Sequence, residues 1–200
     1  MRKLASFLLT VTLSCMMLAS CASKPTSEDL TPTTEPSSLS AFEGPVNDIL
    51  DRIINDTIAK NILVDEELKG ITCYEKSVDP DSCQDILGLT PAEFTSDIEA
   101  ALEAKPDGSW FAHSIVLIRC KDGSDVAALA ECISQGTNPA RFGCIKAEAI
   151  VTGYTGQYIL LCASFQNTCD AIYTTFTELS ALPVKRIDRE NTWNGDGMLG

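Results

Sequence analysis

Two short apolar segments, each leading into an amphipathic segment, constrain the fold of this chain most strongly. The first is Ser114–Cys120, an apolar run rich in β-branched residues, and such runs favour strands. The second comprises a strand at residues 147–152, a turn at residues 153–156 and another strand at residues 158–163. The chain is therefore expected to contain at least one β-hairpin built from apolar strands.

A helix is predicted after each of these segments. The first helix is expected to end near Gly136, and its apolar residues recur at three-and-four spacing: Val126, Leu129, Ala130 and Ile133. The second is expected over residues 171–179, with apolar positions at Ile172, Phe176 and Leu179. A unit of one hairpin followed by one helix is therefore predicted to occur twice.

Two further helices are predicted nearer the N-terminus. One has apolar residues at helical spacing with charged residues on its other side: Val46, Ile49, Leu50, Ile53, Ile54 and Ile58. The other begins at Thr90, because Thr90, Pro91 and Glu93 supply an N-cap, a proline at the first helical position and a capping box.

The segment after this helix start fits two structures. Its apolar residues suit a continued helix, but Ile98, Ala100 and Leu102 also alternate with acidic residues, as in a half-buried strand. The periodicity does not decide between them. Residues 106–108, Pro-Asp-Gly, form a turn signature that would join such a strand to Ser114–Cys120 as a hairpin.

These elements predict an α+β fold, with an antiparallel sheet of about four strands and helices packed mainly on one face. One domain is expected over residues 43–182, long enough to bury about two-thirds of its unfolded surface without disulfides. Residues 183–200 are predicted to be a flexible tail. The alternative for this tail is a peptide that docks on a partner through Trp193.

The N-terminus has the order of charge and apolarity found in a bacterial secretory signal. Arg2 and Lys3 precede an apolar segment at residues 4–18. This segment is shorter than the roughly 20 residues that a membrane-spanning helix needs. Residues 1–20 are therefore predicted to be a signal peptide that is removed.

The end of this segment carries the motif of a lipoprotein processing site, in which a cysteine directly follows small residues: Leu18, Ala19, Ser20 and Cys21. We expect the Cys21 thiol to accept a diacylglyceryl group and to become the first residue of the mature chain. Cys15 is a poorer acceptor, because it would end the apolar segment early. A plain signal peptide and an uncleaved anchor are the alternatives to the lipoprotein prediction.

The sequence after Cys21 predicts a tethered, acidic domain. Residues 21–42 comprise the lipidated cysteine and a disordered tether rich in Ser, Thr and Pro, which spans on the order of 25 Å. The chain has 15 Lys and Arg against 28 Asp and Glu, a formal net charge of −13. This acidity argues against nucleic acid as a partner and leaves the acyl chains as the contact with the membrane. The predicted location is the extracytoplasmic face of the cell membrane.

Two stretches resemble a family of bacterial lipoproteins that carry domain of unknown function 4358. The stretches read SIVLIRCKDGSDVAALAECI, similar to that family's strand leading into a helix, and AEAIVTGYTGQYILLCAS, similar to its strand, Gly-aromatic turn and apolar strand. The resemblance covers about half of the mature chain. It implies a strand at residues 97–104, which favours the hairpin, and it carries over no established activity.

Seven cysteines follow Cys21, and their odd number leaves at least one unpaired within the chain. Their spacing includes neither a redox C-x-x-C motif nor a zinc ribbon, and no metal or cofactor is predicted. Cys73 and Cys83 are the best candidates for a disulfide, whereas Cys120 and Cys162 lie in predicted strands and are expected to be small buried hydrophobes. His113 has no identifiable nucleophile partner and is expected to be structural.

Two functional classes remain, and no catalytic residue is assigned to either. The favoured class is a membrane-tethered binding or interaction module whose partner is a protein of the cell envelope. The alternative is a thiol- or carboxylate-dependent enzyme or redox protein, which would use a low-pKa cysteine or three carboxylates on one strand face: Asp97, Glu99 and Glu103. For these carboxylates, a solvated face is the more frequent arrangement.

Overall fold

The computed structural model describes residues 40–60, 74–106, 112–143 and 145–189. These residues form an α+β domain with five helices and a six-stranded antiparallel sheet. In chain order the elements are α1 (Val46–Ala59), β1 (Tyr74–Ser77), α2 (Cys83–Leu87), α3 (Pro91–Asp97), β2 (Ile98–Lys105), β3 (Ser114–Cys120), α4 (Val126–Gly136), β4 (Ala149–Thr155), β5 (Tyr158–Ser164), α5 (Gln166–Leu179) and β6 (Lys185–Arg189). None of these described helices has the length and apolarity needed to cross a membrane.

The sheet is centred on the two apolar runs identified in the sequence. Its strand order is β1-β2-β3-β5-β4-β6. β2 pairs with β3, with Leu102 opposite Leu117, and β4 pairs with β5, with Val151 opposite Cys162. The two pairs join where β3 runs antiparallel to β5. Each pair is followed in the chain by a helix, so the predicted repeated order of two strands and a helix is present.

The helices cover both faces of the sheet, whereas the sequence predicted them mainly on one. α1 and α5 pack on the face that contains Leu117 and Leu160. α2, α3 and α4 pack on the face that contains Val116 and Leu161. An uninterrupted apolar strand is typical of a sheet with both faces covered, because a sheet with one solvated face has strands of alternating polarity. The uninterrupted apolar run of β3 has the first pattern.

Residues 91–105 contain both a helix and a strand, the two alternatives that the sequence pattern could not distinguish. Glu93 N donates to Thr90 Oγ1 at 3.3 Å, and Thr90 N donates to Glu93 Oε2 at 2.8 Å, so the predicted capping box is confirmed. α3 ends at Asp97, and β2 begins at the next residue. A β-bulge between Ile98 and Ala100 makes Glu99 an extra residue in β2.

The turn between β4 and β5 is shorter than the sequence predicted. β4 continues to Thr155, so residues 153–155 belong to the strand. Gly156 has a φ of 52°, the left-handed conformation that glycine adopts readily in a two-residue hairpin turn. Gly153 was predicted in the turn because glycine usually interrupts strands. In β4 its lack of a Cβ leaves room for the ring of Tyr173, which would lie 3.1 Å from such an atom.

Part of the predicted flexible tail forms an edge strand of the sheet. β6 pairs antiparallel with β4, with Ile187 opposite Thr152. The prediction of a flexible tail at residues 183–200 is therefore wrong for residues 185–189. Trp193, the alternative docking residue, lies outside the described residues.

Two arginines explain why this polar strand is held against the domain. Arg186 forms an ion pair with Asp170 of α5, and its guanidinium lies 4.8 Å from the centre of the Tyr173 ring. Arg189 donates to the backbone oxygen of Thr137, at the C-terminal end of α4, where carbonyl groups lack intrahelical partners. β6 is thus linked to helices on both faces of the sheet.

The N-terminal end of the described domain is anchored by an aromatic side chain. Phe42 is buried, and its ring centre lies 5.1 Å from that of Tyr158 and 5.0 Å from that of Phe176. Ala41 accepts a backbone hydrogen bond of 2.9 Å from Ala181. The packed structure therefore includes residues 41 and 42, just before the predicted domain boundary at residue 43.

Candidate functional site

The predicted lipid-attachment site and one half of the predicted disulfide lie outside the described residues. This applies to the processing motif, Leu18, Ala19, Ser20 and Cys21, and to Cys73. Cys83 is described as a free, buried thiol in α2. Its Sγ lies 3.3 Å from the backbone oxygens of Pro80 and Leu89. The pairing of Cys73 with Cys83 stays a prediction.

A surface groove lies between α3 and α4 in the described part of the chain and is our candidate binding site. Its cavity has a volume of about 200 Å³. Three carboxylates, three apolar side chains and one thiol form its lining: Glu93, Asp97, Asp125, Leu89, Ala128, Leu129 and Cys132. Cys132 is exposed there, whereas the other four cysteines in the described part of the chain are buried.

Two of the groove carboxylates also support the helices that form its walls. Glu93 completes the capping box of α3, and its hydrogen bonds with Thr90 hold the pKa of the Glu93 carboxyl below its ordinary value. Asp125 is the N-cap of α4, where its Oδ1 accepts from the backbone N–H of Ala128 at 3.0 Å. Asp97 is the last residue of α3. The lowered pKa keeps Glu93 ionised near neutral pH, and the groove is lined by three acidic side chains.

The lining of the groove favours a ligand with a positive charge and an apolar part. Carboxylates attract ammonium or guanidinium groups, and Leu89 and Leu129 offer apolar contact. A lysine- or arginine-containing peptide segment has both features. The described residues contain no group of three histidine, cysteine or acidic side chains placed to hold a metal ion.

The three carboxylates predicted to share one strand face are separated in the structure. Asp97 lies in α3, before the strand begins. Glu99 is the extra residue of the bulge and forms a partly exposed ion pair of 2.7 Å with Arg119. Glu103 is buried instead of solvated. The bulge breaks the alternation on which the prediction of a shared face depended.

Glu103 belongs to a buried ion pair that the sequence did not reveal. Its Oε1 accepts from Arg141 Nη2 and, at 2.7 Å, from Ser114 Oγ. The side chains of Glu103 and Arg141 are only 1% and 4% exposed. The Arg141 guanidinium also lies 4.6 Å from the centre of the Phe142 ring. These contacts connect the segment after α4 to strands β2 and β3.

The ion pair retains polar atoms without a partner. Glu103 Oε2 and Arg141 Nε are buried and have no hydrogen-bond partner in the part of the chain that the structure describes. Burying charged atoms costs free energy unless good geometry and further hydrogen bonds offset the lost hydration. The pair therefore fixes the position of the segment at some cost in stability.

His113 directly precedes β3 and contacts residues at and just after the end of β5. Its Nδ1 forms a hydrogen bond with Ser164 Oγ at the end of β5. Its ring meets that of Phe165 edge-on, with 5.4 Å between the ring centres. These contacts connect the ends of two neighbouring strands, which suits the structural role expected from the sequence.

The buried thiols have properties opposite to those of a reactive cysteine. Burial raises the pKa of Cys83, and it raises the pKa of Cys120 to about 12. The pKa of Cys162 is raised well above its ordinary value by a hydrogen bond to Cys169 and by burial. Since the thiolate is the nucleophile, these three side chains are poorly suited to thiol catalysis at neutral pH.

Comparison with protein-family models, curated proteins and solved structures found no match to this chain. The resemblance of the two strand-containing stretches to lipoproteins with domain of unknown function 4358 therefore stays a prediction.

Proposed function

We propose that this chain is a membrane-anchored extracytoplasmic lipoprotein whose domain binds a partner at the cell envelope. The observation that carries the proposal is the order of residues at the N-terminus: a basic start, a short apolar segment, and Leu18, Ala19 and Ser20 directly before Cys21. Two or more acyl chains on one cysteine hold a protein stably at a membrane, whereas a single chain binds only marginally.

The position of the packed domain is compatible with such an anchor. Phe42 packs on Tyr158 and Phe176 at the N-terminal end of the described domain, and the sequence predicts the residues between Cys21 and Phe42 as the tether. A flexible segment of about 20 residues spans on the order of 25 Å. This reach would place the domain beyond the lipid headgroups, where a protein partner is accessible.

The chemistry of the described side chains favours binding over catalysis. The raised pKa values of Cys83, Cys120 and Cys162 disfavour the thiolate forms that an enzyme would use. The carboxylate of Glu103 is engaged by Arg141 and Ser114. The groove between α3 and α4 combines apolar contact with ionised carboxylates, and we assign the partner site to it.

Replacing the predicted acceptor cysteine tests the anchor. The Cys21→Ala protein should remain at precursor size and carry no lipid. It should therefore be absent from the fatty-acid-labelled lipoproteins of the membrane fraction. Cys15→Ala is the matched control, because it removes a thiol from the same apolar segment without touching the motif. Labelling with an alkyne-tagged fatty acid and gel mobility report both steps. Normal maturation and labelling of Cys21→Ala would refute the proposal.

The exposed thiol in the groove allows a test of the partner site. A photo-crosslinker attached to Cys132 in intact membranes should capture a specific protein, and Cys132→Ala should abolish that product. The control carries Asn47→Cys together with Cys132→Ala, which moves the probe to an exposed position on α1. Equal capture from both positions, or none from Cys132, would argue against the groove.

A further inference from the structure

Two of the buried cysteines are in contact with each other. Cys162 lies in β5 and Cys169 in the first part of α5, and both are fully buried. Cys169 Sγ lies 3.5 Å from the backbone oxygen of Cys162 and 3.8 Å from that of Ala149. Both side chains also belong to the same apolar cluster, on the face of the sheet covered by α1 and α5. The two cysteines are therefore neighbours in the core.

The connection between β5 and α5 keeps this pair together. β5 ends at Ser164 and α5 begins at Gln166, so only Phe165 separates the two elements. A disulfide requires Cβ atoms about 3.5 to 4.5 Å apart. Cys169 Sγ already contacts the backbone of Cys162 across this short connection, so the two side chains are placed on the same face close to each other.

We propose that Cys162 and Cys169 form an intramolecular disulfide when the exported chain folds, and that this bond links β5 to the first turns of α5. The proposal rests on the proposed extracytoplasmic location, because disulfides form and persist in oxidising compartments. The pair differs from Cys73 and Cys83, the disulfide that the sequence suggested.

The oxidation is a thiol–disulfide exchange with a disulfide donor, either an envelope thiol oxidoreductase or a small-molecule disulfide. The Cys162 thiolate attacks one donor sulfur, which releases one donor thiolate and leaves a mixed disulfide. The Cys169 thiolate then attacks the Cys162 sulfur and releases the second donor thiolate. Two cysteine protons pass to the released donor thiolates, so the donor is reduced to two thiols.

Burial determines when this exchange can occur. In the folded domain neither sulfur is exposed, and the raised pKa of Cys162 keeps its thiol protonated. Exchange therefore proceeds during folding, before α5 packs on the sheet, or through local opening of α5. Once formed, the buried disulfide is protected from reductants in the same way.

The other described thiols are placed apart from this pair. Cys83 and Cys120 belong to the core on the opposite face of the sheet. Cys132 is exposed on α4. Within the described residues, Cys162 and Cys169 are therefore the two cysteines that belong to the core on this face of the sheet.

A single tryptic peptide provides the test. Cleavage after Lys146 and Lys185 releases residues 147–185, which contain Cys162 and Cys169 and no other cysteine. The full-length protein is reduced, unfolded, refolded in detergent with a glutathione redox buffer, and alkylated under denaturing conditions without reductant. We expect the unalkylated peptide, about 2 Da lighter than its dithiol form, to exceed the doubly alkylated peptide by about tenfold.

Two variants make the result specific. Cys169→Ala should leave one alkyl group on Cys162, whereas Cys120→Ala, a buried control in the neighbouring strand, should keep the disulfide. A doubly alkylated peptide in the refolded protein would overturn the pairing, as would a disulfide from Cys162 to another peptide.

The same measurement on protein isolated from cells separates this inference from the proposed location. A disulfide in both samples supports the pairing and the export. The refolded protein could contain the disulfide while the cellular sample shows two alkylated thiols. This result would contradict disulfide formation during export, but it would still support the pairing of Cys162 with Cys169.

Discussion

At the scale of single residues, the buried ion pair between Glu103 and Arg141 has the largest predicted effect on stability. Both side chains are almost completely buried, so removal of either one leaves a charge without its partner in a medium of low polarity. The resulting loss in the free energy of unfolding mainly reflects the cost of burying the unpaired charge, and not the net stabilisation that the pair provides. A second ion pair, between Glu99 and Arg119, is partly exposed and serves as a comparison.

Arg141→Met should lower the free energy of unfolding by about 3 to 5 kcal/mol, because it leaves the buried Glu103 carboxylate without its charged partner. Arg119→Met should lower it by less than about 1 kcal/mol, because water screens the exposed pair. Adding Glu103→Gln to Arg141→Met should recover part of the loss. Urea unfolding followed by circular dichroism measures all four proteins. Equal losses from the two arginine variants would show that burial does not dominate.

The sequence offered little to reveal this ion pair. Glu103 has the same alternation as its acidic neighbours in residues 97–104, and an acidic residue in such a pattern is usually solvated. Arg141 lies in an irregular segment 38 residues away in the chain. The pairing depends on a long-range approach that local periodicity cannot report. The periodicity of the sequence also did not predict the bulge in β2, which separates Glu99 from Glu103.

At the scale of elements, local signals predicted the helices and strands well where they agreed with one another. α1 and α4 followed the helical spacing of apolar residues, and the capping box located the start of α3. β3 and β5 followed continuous apolar runs. The edge strand β6 was not predicted. Arg186 and Arg189 link it to helices that are distant in the sequence, and local sequence patterns do not report such contacts.

Thr90→Ala should destabilise α3, because it removes the hydroxyl that accepts from Glu93 N. We expect the midpoint of thermal unfolding to fall by about 3 °C near neutral pH. The Thr90 side chain is also the main cause of the lowered Glu93 pKa. The lowered pKa stabilises the fold above the ordinary carboxyl pKa, and this contribution is lost as the pH falls through the folded-state pKa. The difference between wild type and variant should therefore shrink in acid.

This pH dependence can be checked by calorimetry across the acidic range. Thr95→Ala is a suitable control, since Thr95 is an exposed hydroxyl of the same helix that bonds to the backbone of Pro91 and does not contact the Glu93 carboxylate. A difference between wild type and Thr90→Ala that stays constant with pH would contradict the link to Glu93.

The close approach between the C-terminal ends of α2 and α4 depends on two glycines, Gly88 and Gly136. A Cβ on Gly88 would lie 2.2 Å from the backbone carbon of Gly136, and Gly88 has a φ of 71°. Gly123 has a similar φ of 85° but nothing within 4 Å of such an atom. Gly123→Ala should therefore report backbone strain alone, about 1 kcal/mol. Gly88→Ala should cost at least about 2 kcal/mol more, because the backbones must separate.

Chemical denaturation of the two glycine variants measures this difference. Its physical basis is the close packing of protein interiors, which leaves no space for an added methyl group between two backbones in contact. Similar stabilities for Gly88→Ala and Gly123→Ala would mean that the two helix ends can move apart at little cost.

At the scale of the whole molecule, the domain is a central antiparallel sheet between two layers of helices. The predicted α+β class was correct, but a cover of helices mainly on one face was not. The uninterrupted apolar character of β3 and β5 was the available signal for two covered faces. In chain order α4 follows β3 and α5 follows β5, and these two helices cover opposite faces of the sheet.

Overall charge and the N-terminal motif bear on the function of the whole chain. The formal net charge of −13 disfavours contact with nucleic acid or anionic lipid headgroups, and removal of Arg2 and Lys3 with the signal peptide would make it more negative. The proposed binding role therefore depends on the lipid at Cys21 for membrane contact, and on the acidic groove for contact with a partner.

Mass spectrometry of the N-terminus of the mature protein, extracted from the membrane of its native cell, tests the central claim most directly. The account predicts that the chain begins at Cys21 and that a diacylglyceryl group is attached to its sulfur. A chain that begins at any other residue, or an unmodified Cys21 thiol in the membrane-extracted protein, would contradict the proposed lipoprotein anchor.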